Sequence, residues 1–188
     1  MTDTLLFFRQ LISRPLQISA IAPSSRFLAR AMAKALGPHT GRVVEFGPGT
    51  GRLTEGILNA GVTPENLTLF EMNPEFVIHL RQRFPGVTVH LAGAQTAPDV
   101  VAKGVGAVVS GLPLLSMPLP LRQSIVAAAF DILAPDGIYV QFTYGPRPAL
   151  DPSQIESLGL TYTQTAFVAL NLPPARVHTF RRSKNSRP

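Results

Sequence analysis

Short apolar runs alternate with stretches of helical periodicity through the middle of the chain. The runs are rich in β-branched and aromatic residues, which predicts strands. These strands are 42–46, 67–71, 87–91, 107–111 and 138–143. Apolar positions three and four residues apart predict helices between them. These helices are 52–60, 74–83, a weaker one near 95–103, and 120–133. Strands that alternate with helices indicate right-handed crossovers and a parallel sheet.

The last part of the chain departs from this alternation. Residues 163–170 and 176–182 have the character of two strands, joined by Asn171-Leu-Pro-Pro-Ala. A connection this tight joins antiparallel strands. The sequence therefore predicts an α/β protein with a Rossmann-like, seven-stranded, mostly parallel sheet that ends in an antiparallel hairpin. This is the layout of the class I methyltransferases.

An amphipathic helix is predicted near the start, at 4–14, and Pro15 ends it. At about 100° per residue, its apolar side chains cover one arc and its polar side chains the other side. The residues expected to contact a membrane are Leu5, Phe7, Phe8, Arg9, Leu11, Ile12 and Arg14. Apolar bulk opposite arginine is typical of an interfacial membrane helix, although a helix packed on its own domain gives the same pattern.

A second helix is predicted at 24–36, where Ser24 and Ser25 suit its start and Gly37-Pro38 its end. The chain then divides into three parts. These are an N-terminal helical segment at 1–36, a methyltransferase core at 37–182 and a flexible basic tail at 183–188.

Composition limits the chemistry of the protein. Its 188 residues suit one domain, and the lack of cysteine excludes disulfides, thiolate zinc sites and thiol nucleophiles. The four histidines show no metal-ligand spacing, so no metal is expected. No apolar run reaches the ~18 residues of a membrane-spanning helix. Arg9 and Gln10 interrupt the apolar stretch that a signal peptide would need, so a cytoplasmic protein is expected.

The net charge of +6 is concentrated at the two ends of the chain. No acidic residue lies between Asp3 and Glu45, and none follows Glu156. The basic residues of these segments are Arg9, Arg14, Arg26, Arg30, Lys34 and Arg42, and then Arg176, Arg181, Arg182, Lys184 and Arg187. Cationic ends favour a polyanion, which is either nucleic acid or an anionic lipid surface.

The most specific motif follows the first strand of the core. Glu45 is followed by Gly47, Gly49 and Gly51. Dinucleotide sites instead space their glycines as G-x-G-x-x-G and bind a pyrophosphate at a helix N-terminus. A carboxylate two residues ahead of the first glycine would repel a pyrophosphate, but it suits a sulfonium and an ammonium group. The motif therefore predicts S-adenosylmethionine as cofactor and S-adenosylhomocysteine as product.

The ends of the next two strands extend the predicted cofactor site. Glu71 is placed to accept hydrogen bonds from the ribose hydroxyls. Met72 is placed to pack on the adenine, although it also suits the core. Ala94 follows the third strand, where no acid is available for the adenine amino group, so the backbone or Gln95 is expected to bind it.

The fourth strand leads into the loop Ser110-Gly-Leu-Pro-Leu-Leu-Ser-Met-Pro118, which faces the transferred methyl group in this fold. An rRNA adenine methylase would carry an asparagine and an aromatic ring in this loop. Ser110-Gly111 and Leu114 replace them. The loop therefore favours an aliphatic or lipid acceptor over a nucleobase, although buried leucines that only anchor the loop would look the same.

Four segments together resemble the bacterial phospholipid N-methyltransferases. They are Ile21-Ala-Pro-Ser-Ser-Arg26, Val44-Glu-Phe-Gly-Pro-Gly-Thr-Gly51, Ser110-Gly-Leu-Pro-Leu-Leu-Ser116 and Asn171-Leu-Pro-Pro-Ala-Arg-Val177. The resemblance implies methylation of the amine of phosphatidylethanolamine and its methylated derivatives toward phosphatidylcholine. It also implies docking on anionic lipid through the N-terminal helix. Gly47, Gly49, Gly51 and Glu71 would hold the cofactor, and the loop Ser110-Gly111-Leu112 would border both ligands.

Transfer of a methyl group to an amine needs alignment and a neutral nitrogen lone pair. An apolar pocket helps an ammonium group to lose its proton. Tyr144 and His178 are the candidates for a catalytic base, and Tyr144 is also placed to contact the substituted ammonium. Arg147 and Arg176 are candidates for binding the substrate phosphate, and Asn171 for binding the head group. Each of these residues also has a purely structural interpretation.

A small-molecule amine methyltransferase, which would not depend on vesicles, is one alternative. Two functions of other kinds also fit part of the sequence. An rRNA or DNA adenine N6-methyltransferase would explain the basic ends, but the loop after the fourth strand argues against it. A non-catalytic lipid-binding protein on a methyltransferase fold is the other, and the complete glycine motif argues against it. The expected partners are therefore phosphatidylethanolamine and anionic lipids at the inner face of the cell membrane. Nucleic acid is not expected, and no feature indicates an obligate protein partner.

Overall fold

The structure is a computed structural model that describes residues 25–183. The predicted helix 4–14, with the residues expected to contact a membrane, and the tail beyond Ser183 lie outside the described residues. Within the described part, no helix combines the length and the apolar character that crossing a bilayer requires.

The described residues form seven strands and six α-helices. The strands are β1 (Val43–Phe46), β2 (Leu67–Glu71), β3 (Thr88–Leu91), β4 (Val105–Ser110), β5 (Leu133–Thr143), β6 (Leu160–Val168) and β7 (Ala175–Arg182). The helices are α1 (Arg26–Ala33), α2 (Arg52–Asn59), α3 (Pro74–Arg83), α4 (Ala97–Val100), α5 (Leu119–Ile132) and α6 (Pro152–Ser157). Short 3-10 turns lie at Pro64–Asn66, Ala94–Thr96 and Leu114–Ser116.

The strands lie in the order β3-β2-β1-β4-β5-β7-β6 within one sheet. Strands β1 to β5 pair in parallel, and β7 runs antiparallel to both of its neighbours. The predicted fold is confirmed. The carboxyl ends of β1, β2, β4 and β5 meet at one edge, and the strand order reverses between β1 and β4. Open α/β sheets bind their ligands in the crevice at such a point.

Both faces of the sheet are covered because the central strands are apolar on both sides. Helices α1, α2 and α3 pack on one face, which is called here the α1 face, through residues such as Leu28, Ile57 and Leu80. Helix α5 packs on the other, the α5 face, through residues such as Ile125 and Phe130. Every residue of β1 is buried, as expected for a strand between two helical layers.

Helix starts follow local signals in the sequence. Ser25 caps α1 by accepting a hydrogen bond from Leu28 N at 3.2 Å. Asn73 caps α3 by accepting from Glu75 N at 2.8 Å, and Pro74 occupies the first turn, where no backbone donor is needed. These are the starts that the sequence predicts to within two residues.

Other boundaries differ from the predicted ones. Strand β5 begins at Leu133 rather than at residue 138, and β6 spans 160–168 rather than 163–170. The weak helix near 95–103 is a 3-10 turn followed by the single turn of α4. Helix α6 was not predicted, although Asp151 and Gln154 form a capping box at its start.

Candidate active site

The loop between β1 and α2 holds its three glycines in left-handed conformations, with φ of 69° at Gly47, 54° at Gly49 and 83° at Gly51. A Cβ at Gly47 would strike the Leu112 side chain, and one at Gly51 would lie 2.5 Å from Cε2 of Phe84. A Cβ at Gly49 would meet nothing within 4 Å. Packing therefore requires two of the glycines, whereas the third leaves open space in which a ligand can approach the backbone.

Glu45 lies in β1 and is fully buried. Its Oε2 accepts a hydrogen bond of 2.7 Å from the Thr54 hydroxyl, and its Oε1 is buried without a partner among the described residues. Burial raises the pKa of Glu45 to about 8; the Thr54 hydrogen bond opposes the rise, and the charge of Glu71 adds to it. The carboxyl is therefore mostly protonated near neutral pH, until a nearby cation favours its ionised form.

Glu71 ties the end of β2 to the glycine loop. Its Oε2 accepts from Gly49 N at 3.0 Å, and its Oε1 accepts from Met72 N at 2.8 Å and Asn73 N at 2.9 Å. A carboxylate offers about four acceptor positions, so about one remains, on Oε2. One ribose hydroxyl can use that position directly. A bond to the second hydroxyl would have to replace the Gly49 N–H.

The predicted adenine end lies beyond β3. Ala94 is buried, and the Gln95 side chain folds over Gly93, where a Cβ would lie 2.5 Å from the Gln95 amide. Gln95 Oε1 is buried and has no hydrogen-bond partner among the described residues. Met72 is partly buried at the start of the loop after β2. An unpartnered acceptor on Gln95 suits an amino group, which is the role that the sequence proposed for this residue or the backbone.

The loop after β4 contacts the glycine loop through the backbone. Gly111 N donates to Phe46 O at 2.8 Å, and a Cβ at Gly111 would lie only 2.7 Å from Gly47 O. Ser110 is fully buried, and its Oγ accepts from Leu112 N at 3.3 Å. The structure therefore brings together the two loops that the sequence assigned to the cofactor and to the acceptor.

Two buried polar residues that position these loops were missed by the sequence predictions. Gln141 in β5 donates from Nε2 to Leu112 O at 2.9 Å and accepts from the Tyr139 hydroxyl at 2.8 Å. Thr54 in α2 holds the carboxyl of Glu45. The available signal was a polar residue inside an otherwise apolar strand for Gln141, and a hydroxyl in the first helical turn after the glycines for Thr54.

The loop after β4, residues 110–118, is called here the acceptor loop. Its apolar side chains and that of the next residue, Leu119, divide into two groups. Leu114 and Met117 are buried against α5, and Leu112 is partly buried. Leu115 is 51% exposed and Leu119 is 45% exposed at the start of α5. Leu114 therefore anchors the loop in the core, and its contact with substrate stays a prediction. Exposed Leu115 and Leu119 give the loop an apolar outer surface.

Tyr144 follows β5 and packs edge-on against Phe142, with 5.2 Å between ring centroids. Its hydroxyl is buried and has no hydrogen bond of good geometry within the described residues. Burial raises the pKa of Tyr144, and the nearby Asn171 side chain partly opposes the rise. Asn171 itself accepts from Ser25 N at 3.1 Å and donates to Pro173 O at 2.7 Å. The phenol thus keeps its proton at neutral pH.

His178 lies within β7 and packs beside the stacked rings of Tyr162 and Phe180, whose centroids are 5.9 and 6.4 Å from its own. Its Nδ1 is buried and has no partner among the described residues. Burial lowers the pKa of His178, and the charge of Arg176 lowers it further, so the ring is neutral at pH 7. His178 is two positions from Phe180 in β7 and so shares its face of the sheet, the α5 face, whereas Tyr144 packs on the α1 face. The two base candidates are therefore alternatives and cannot act as a pair.

The two candidate phosphate-binding arginines lie at the same edge of the sheet, Arg147 on the loop after β5 and Arg176 at the start of β7. Arg147 is exposed. The Arg176 guanidinium lies 5.0 Å from the centroid of the Phe167 ring, and its Nη1 lies 3.5 Å from Gly145 O. Within the described residues, the ion pairs are Arg83–Glu55 and Lys103–Asp131. Arg176 is therefore oriented by a ring and a carbonyl without a carboxylate that would compete with an anionic ligand.

Metal binding finds no support in this geometry. In residues 25–183, no three side chains of the histidine, cysteine, aspartate or glutamate type converge on a point where an ion would fit. The polar groups at the edge of the sheet are instead a buried carboxyl, backbone donors and amides, which suit an organic ligand with separate cationic and hydroxyl groups.

A curated relative matches most of the chain. An ornithine lipid N-methyltransferase of Singulisphaera acidiphila is 30% identical over 154 residues, which cover 78% of this chain and 80% of that protein. The chain belongs to this methyltransferase family. No protein-family model matches it.

The chain is also similar to two other methyltransferases. The 1,6-didemethyltoxoflavin-N1-methyltransferase of Burkholderia thailandensis, solved with S-adenosylhomocysteine bound, has a TM-score of 0.71 at 15% identity. The match covers 98% of this chain and 92% of that one, and at this identity it shows the fold. Ribosomal RNA small subunit methyltransferase A of a Marinomonas species is 35% identical over 88 residues, which are 41% of this chain and 32% of that protein.

The methyltransferase uses S-adenosylmethionine as its cofactor. The residues at the sheet edge fit this molecule. The unpartnered Oε1 of Glu45 suits a cationic group, the open space at Gly49 admits a ligand against the backbone, and Gln95 offers an unpartnered acceptor. Glu45, Gly49, Glu71 and Gln95 would therefore hold it. When bound, the cofactor supplies an electrophilic methyl group.

Proposed function

We propose that the protein methylates the amine of phosphatidylethanolamine and of its methylated derivatives, toward phosphatidylcholine, at an anionic membrane surface. The observation that carries this proposal is membership in a family whose relative is named for N-methylation of an ornithine lipid. An ornithine lipid and phosphatidylethanolamine both present an amine to the enzyme. The inner face of the cell membrane is the proposed place of action, with the enzyme bound peripherally.

The acceptor loop supports a lipid amine in two ways. Leu115 and Leu119 are exposed beside the loop, and no carboxylate or amide side chain of the loop is available to bind a base. Apolar surroundings disfavour the charged ammonium, which helps the amine to present its lone pair. These residues exclude water and orient the acceptor, and the displacement needs no metal.

Tyr144 has a defined part in this proposal. Because its phenol keeps its proton, it does not act as a strong base at neutral pH. Its oxygen can still accept a hydrogen bond from an amine N–H, which would orient the nitrogen lone pair. Arg176 is proposed to bind the lipid phosphate, since its guanidinium has no ion pair among the described residues. Asn171 and Arg147 are proposed as further head-group contacts.

Methylation of an rRNA adenine is the second candidate. The 88-residue similarity to a ribosomal RNA methyltransferase favours it, together with the cationic ends of the chain. That similarity covers 41% of the chain, and the loop from Ser110 to Pro118 has no aromatic residue on which a base could stack. The lipid relative covers 78% of the chain, which makes the lipid acceptor the better supported of the two.

The test is incubation of the full chain with radiolabelled S-adenosylmethionine and three separate acceptors. These are phosphatidylethanolamine vesicles, ornithine lipid vesicles and small-subunit rRNA, and the products are separated by chromatography. We expect label in mono-, di- or trimethylated phosphatidylethanolamine. Label in ornithine lipid alone would support a lipid amine as the acceptor, but it would show that the substrate is ornithine lipid and not phosphatidylethanolamine. Label in RNA alone would overturn the proposal.

A further inference from the structure

The tip of the β6–β7 hairpin, residues 169–174, carries the most exposed large apolar side chains of the described residues. Leu172 is 79% exposed and Leu170 is 72% exposed. Phe167, near the end of β6, is 55% exposed. Single exposed leucines are common on protein surfaces, but two on one short loop beside an exposed phenylalanine form a patch that favours an apolar partner.

The hairpin tip lies at the edge of the sheet that holds the site. β6 runs parallel to β1–β5, so its carboxyl end and the tip that follows lie on the same side as the carboxyl ends of the central strands. Hydrogen bonds of Asn171 hold the tip, one of them from Ser25 N at 3.1 Å. Phe27, which is 54% exposed, lies two residues after Ser25 in the first turn of α1. The tip, the first turn of α1 and the site are therefore neighbours.

The charges around the hairpin tip identify its partner. Arg26 and Arg30 are exposed on α1. Arg147 lies on the loop after β5, and Arg176 lies at the start of β7. No acidic residue occurs between positions 25 and 44 or between 157 and 183. A second copy would bring the same cations together. Residues 1–24 contain two arginines and one aspartate, so they supply no net negative charge. An anionic lipid surface complements both the apolar tip and its cationic surroundings.

We propose that the hairpin tip inserts Leu170 and Leu172 into the apolar layer of an anionic membrane, while the surrounding arginines contact lipid phosphates. This contact is separate from the one predicted for residues 4–14. The insertion proposal rests on the proposed function, because insertion would place the candidate active site against the lipid layer that contains the acceptor. The binding itself is measurable without any methyl acceptor.

A tryptophan reporter tests the insertion directly. The chain has no tryptophan, so a single introduced one reports only its own surroundings. Leu172→Trp is compared with Ile78→Trp, a control at a site that is 58% exposed on α3. Vesicles contain phosphatidylglycerol and phosphatidylcholine, with no amine to methylate. We expect Leu172→Trp to shift to the blue and to be quenched by brominated acyl chains, whereas Ile78→Trp stays accessible to aqueous acrylamide.

Two emission results would overturn the proposal. In the first, Leu172→Trp keeps a water-like spectrum when the vesicles are present, whether or not the protein sediments with them. In the second, it is already blue-shifted and protected from acrylamide before vesicles are added. That result would show that residues 1–24 or a second copy cover the tip.

A pair of double variants measures the contribution to binding. Leu170→Gln/Leu172→Gln should lower the apparent affinity for the same vesicles by about tenfold. The matched control, Ile78→Gln/Val100→Gln, removes two side chains that are 58% and 57% exposed elsewhere, and should leave the affinity unchanged. Both variants should bind S-adenosylmethionine like the parent. Equal vesicle affinity of the two variants would overturn the proposal. If the tip is needed for vesicle binding but the protein methylates no lipid, the insertion proposal would be supported and the proposed function would be wrong.

Discussion

The two halves of the sheet edge hold their polar groups in different ways. In the cofactor half, formed by β1–β3 and their loops, Glu71 accepts three backbone hydrogen bonds and Glu45 is held by Thr54. In the acceptor half, formed by the loops after β4 and β5 and by the β6–β7 hairpin, Arg176 has no ion pair among the described residues. Apolar side chains of the same half lie exposed.

This difference assigns different tasks to the two halves. Carboxyl groups that the fold holds in place, such as those of Glu71 and Glu45, can bind a cofactor whichever acceptor is methylated. Arginines without an ion pair in the described part of the chain and exposed apolar side chains are instead proposed to determine which acceptor binds. We therefore expect substitutions in the cofactor half to weaken cofactor binding, and substitutions in the acceptor half to change lipid turnover alone.

Glu71→Ala should have the largest effect. The change removes the acceptor of three backbone hydrogen bonds and loosens the glycine loop at Gly49. Bonds to a charged acceptor are among the stronger ones, so affinity for S-adenosylmethionine should fall by about 100-fold or more. Isothermal titration measures it. Glu75→Ala, which removes an exposed carboxylate on α3, is the matched control and should bind normally. Normal binding by Glu71→Ala would refute the assignment of the cofactor half.

Glu45→Gln should weaken cofactor binding by about tenfold, since an amide cannot supply a negative charge to a cationic ligand. The parent should bind more tightly as pH rises from 6.5 toward 8.5, because Glu45, with a pKa of about 8, ionises over this range. The variant should lack that part of the pH dependence. Titrations at several pH values test both points, with Glu65→Gln as an exposed control. A parent affinity that does not change with pH would contradict this role.

The same substitution should stabilise the protein without cofactor at neutral pH. The pKa of Glu45 rises from 4.5 in the unfolded chain to about 8 in the folded one. Between these values the unfolded chain binds fewer protons, so the free energy of unfolding falls as pH rises. Glu45→Gln removes this loss, and we expect about 1–3 kcal/mol of added stability at pH 7. Denaturant unfolding at pH 5 and pH 7 should show the gain growing with pH.

The cofactor half could be predicted from sequence because its signals are local. Glu45 and the glycines lie within seven residues of one another, and Asn73-Pro74, which marks the start of α3, begins two residues after Glu71. Alternation of strands and helices then places consecutive strand ends at one edge. The hydrogen-bond partners of Glu71 could not be predicted in this way, because its three bonds to backbone N–H groups depend on the conformations of the loops.

The acceptor half could be predicted only in part because its contacts are long-range. Ser25 and Asn171 are 146 positions apart, and no local pattern predicts their hydrogen bond. Placing Tyr144 and His178 on opposite faces requires the register between β5 and β7, which pairs Gln141 with His178. The extent of β6 depends on the irregular pairing between Gln164 and Ala166. Sequence patterns identify these residues as candidates without showing which of them meet.

Arg176→Ala tests the other side of the comparison. We expect cofactor affinity to stay within twofold of the parent, and turnover of phosphatidylethanolamine in vesicles to fall by about fivefold, because a phosphate contact is lost. Arg181→Ala removes the same charge from the exposed far end of β7 and is the matched control. Steady-state turnover and titration are measured on the same samples. Equal loss of cofactor binding and turnover in Arg176→Ala would show that the two halves are not separable.

Tyr144→Phe should have the smallest effect, and it decides between the two base candidates. Because burial keeps the phenol protonated, its loss should lower turnover only about twofold and leave the pH profile unchanged.

His178→Gln is the companion variant. If His178 accepts the amine proton, this change should flatten the acidic limb of the profile, whose midpoint should lie below 6.5 since the pKa of His178 is lowered. A loss above 100-fold in Tyr144→Phe would instead make that hydroxyl essential. If the pH profile of turnover is unchanged in both variants, neither side chain acts as the base. Desolvation of the amine by the apolar acceptor loop would then account for the loss of its proton.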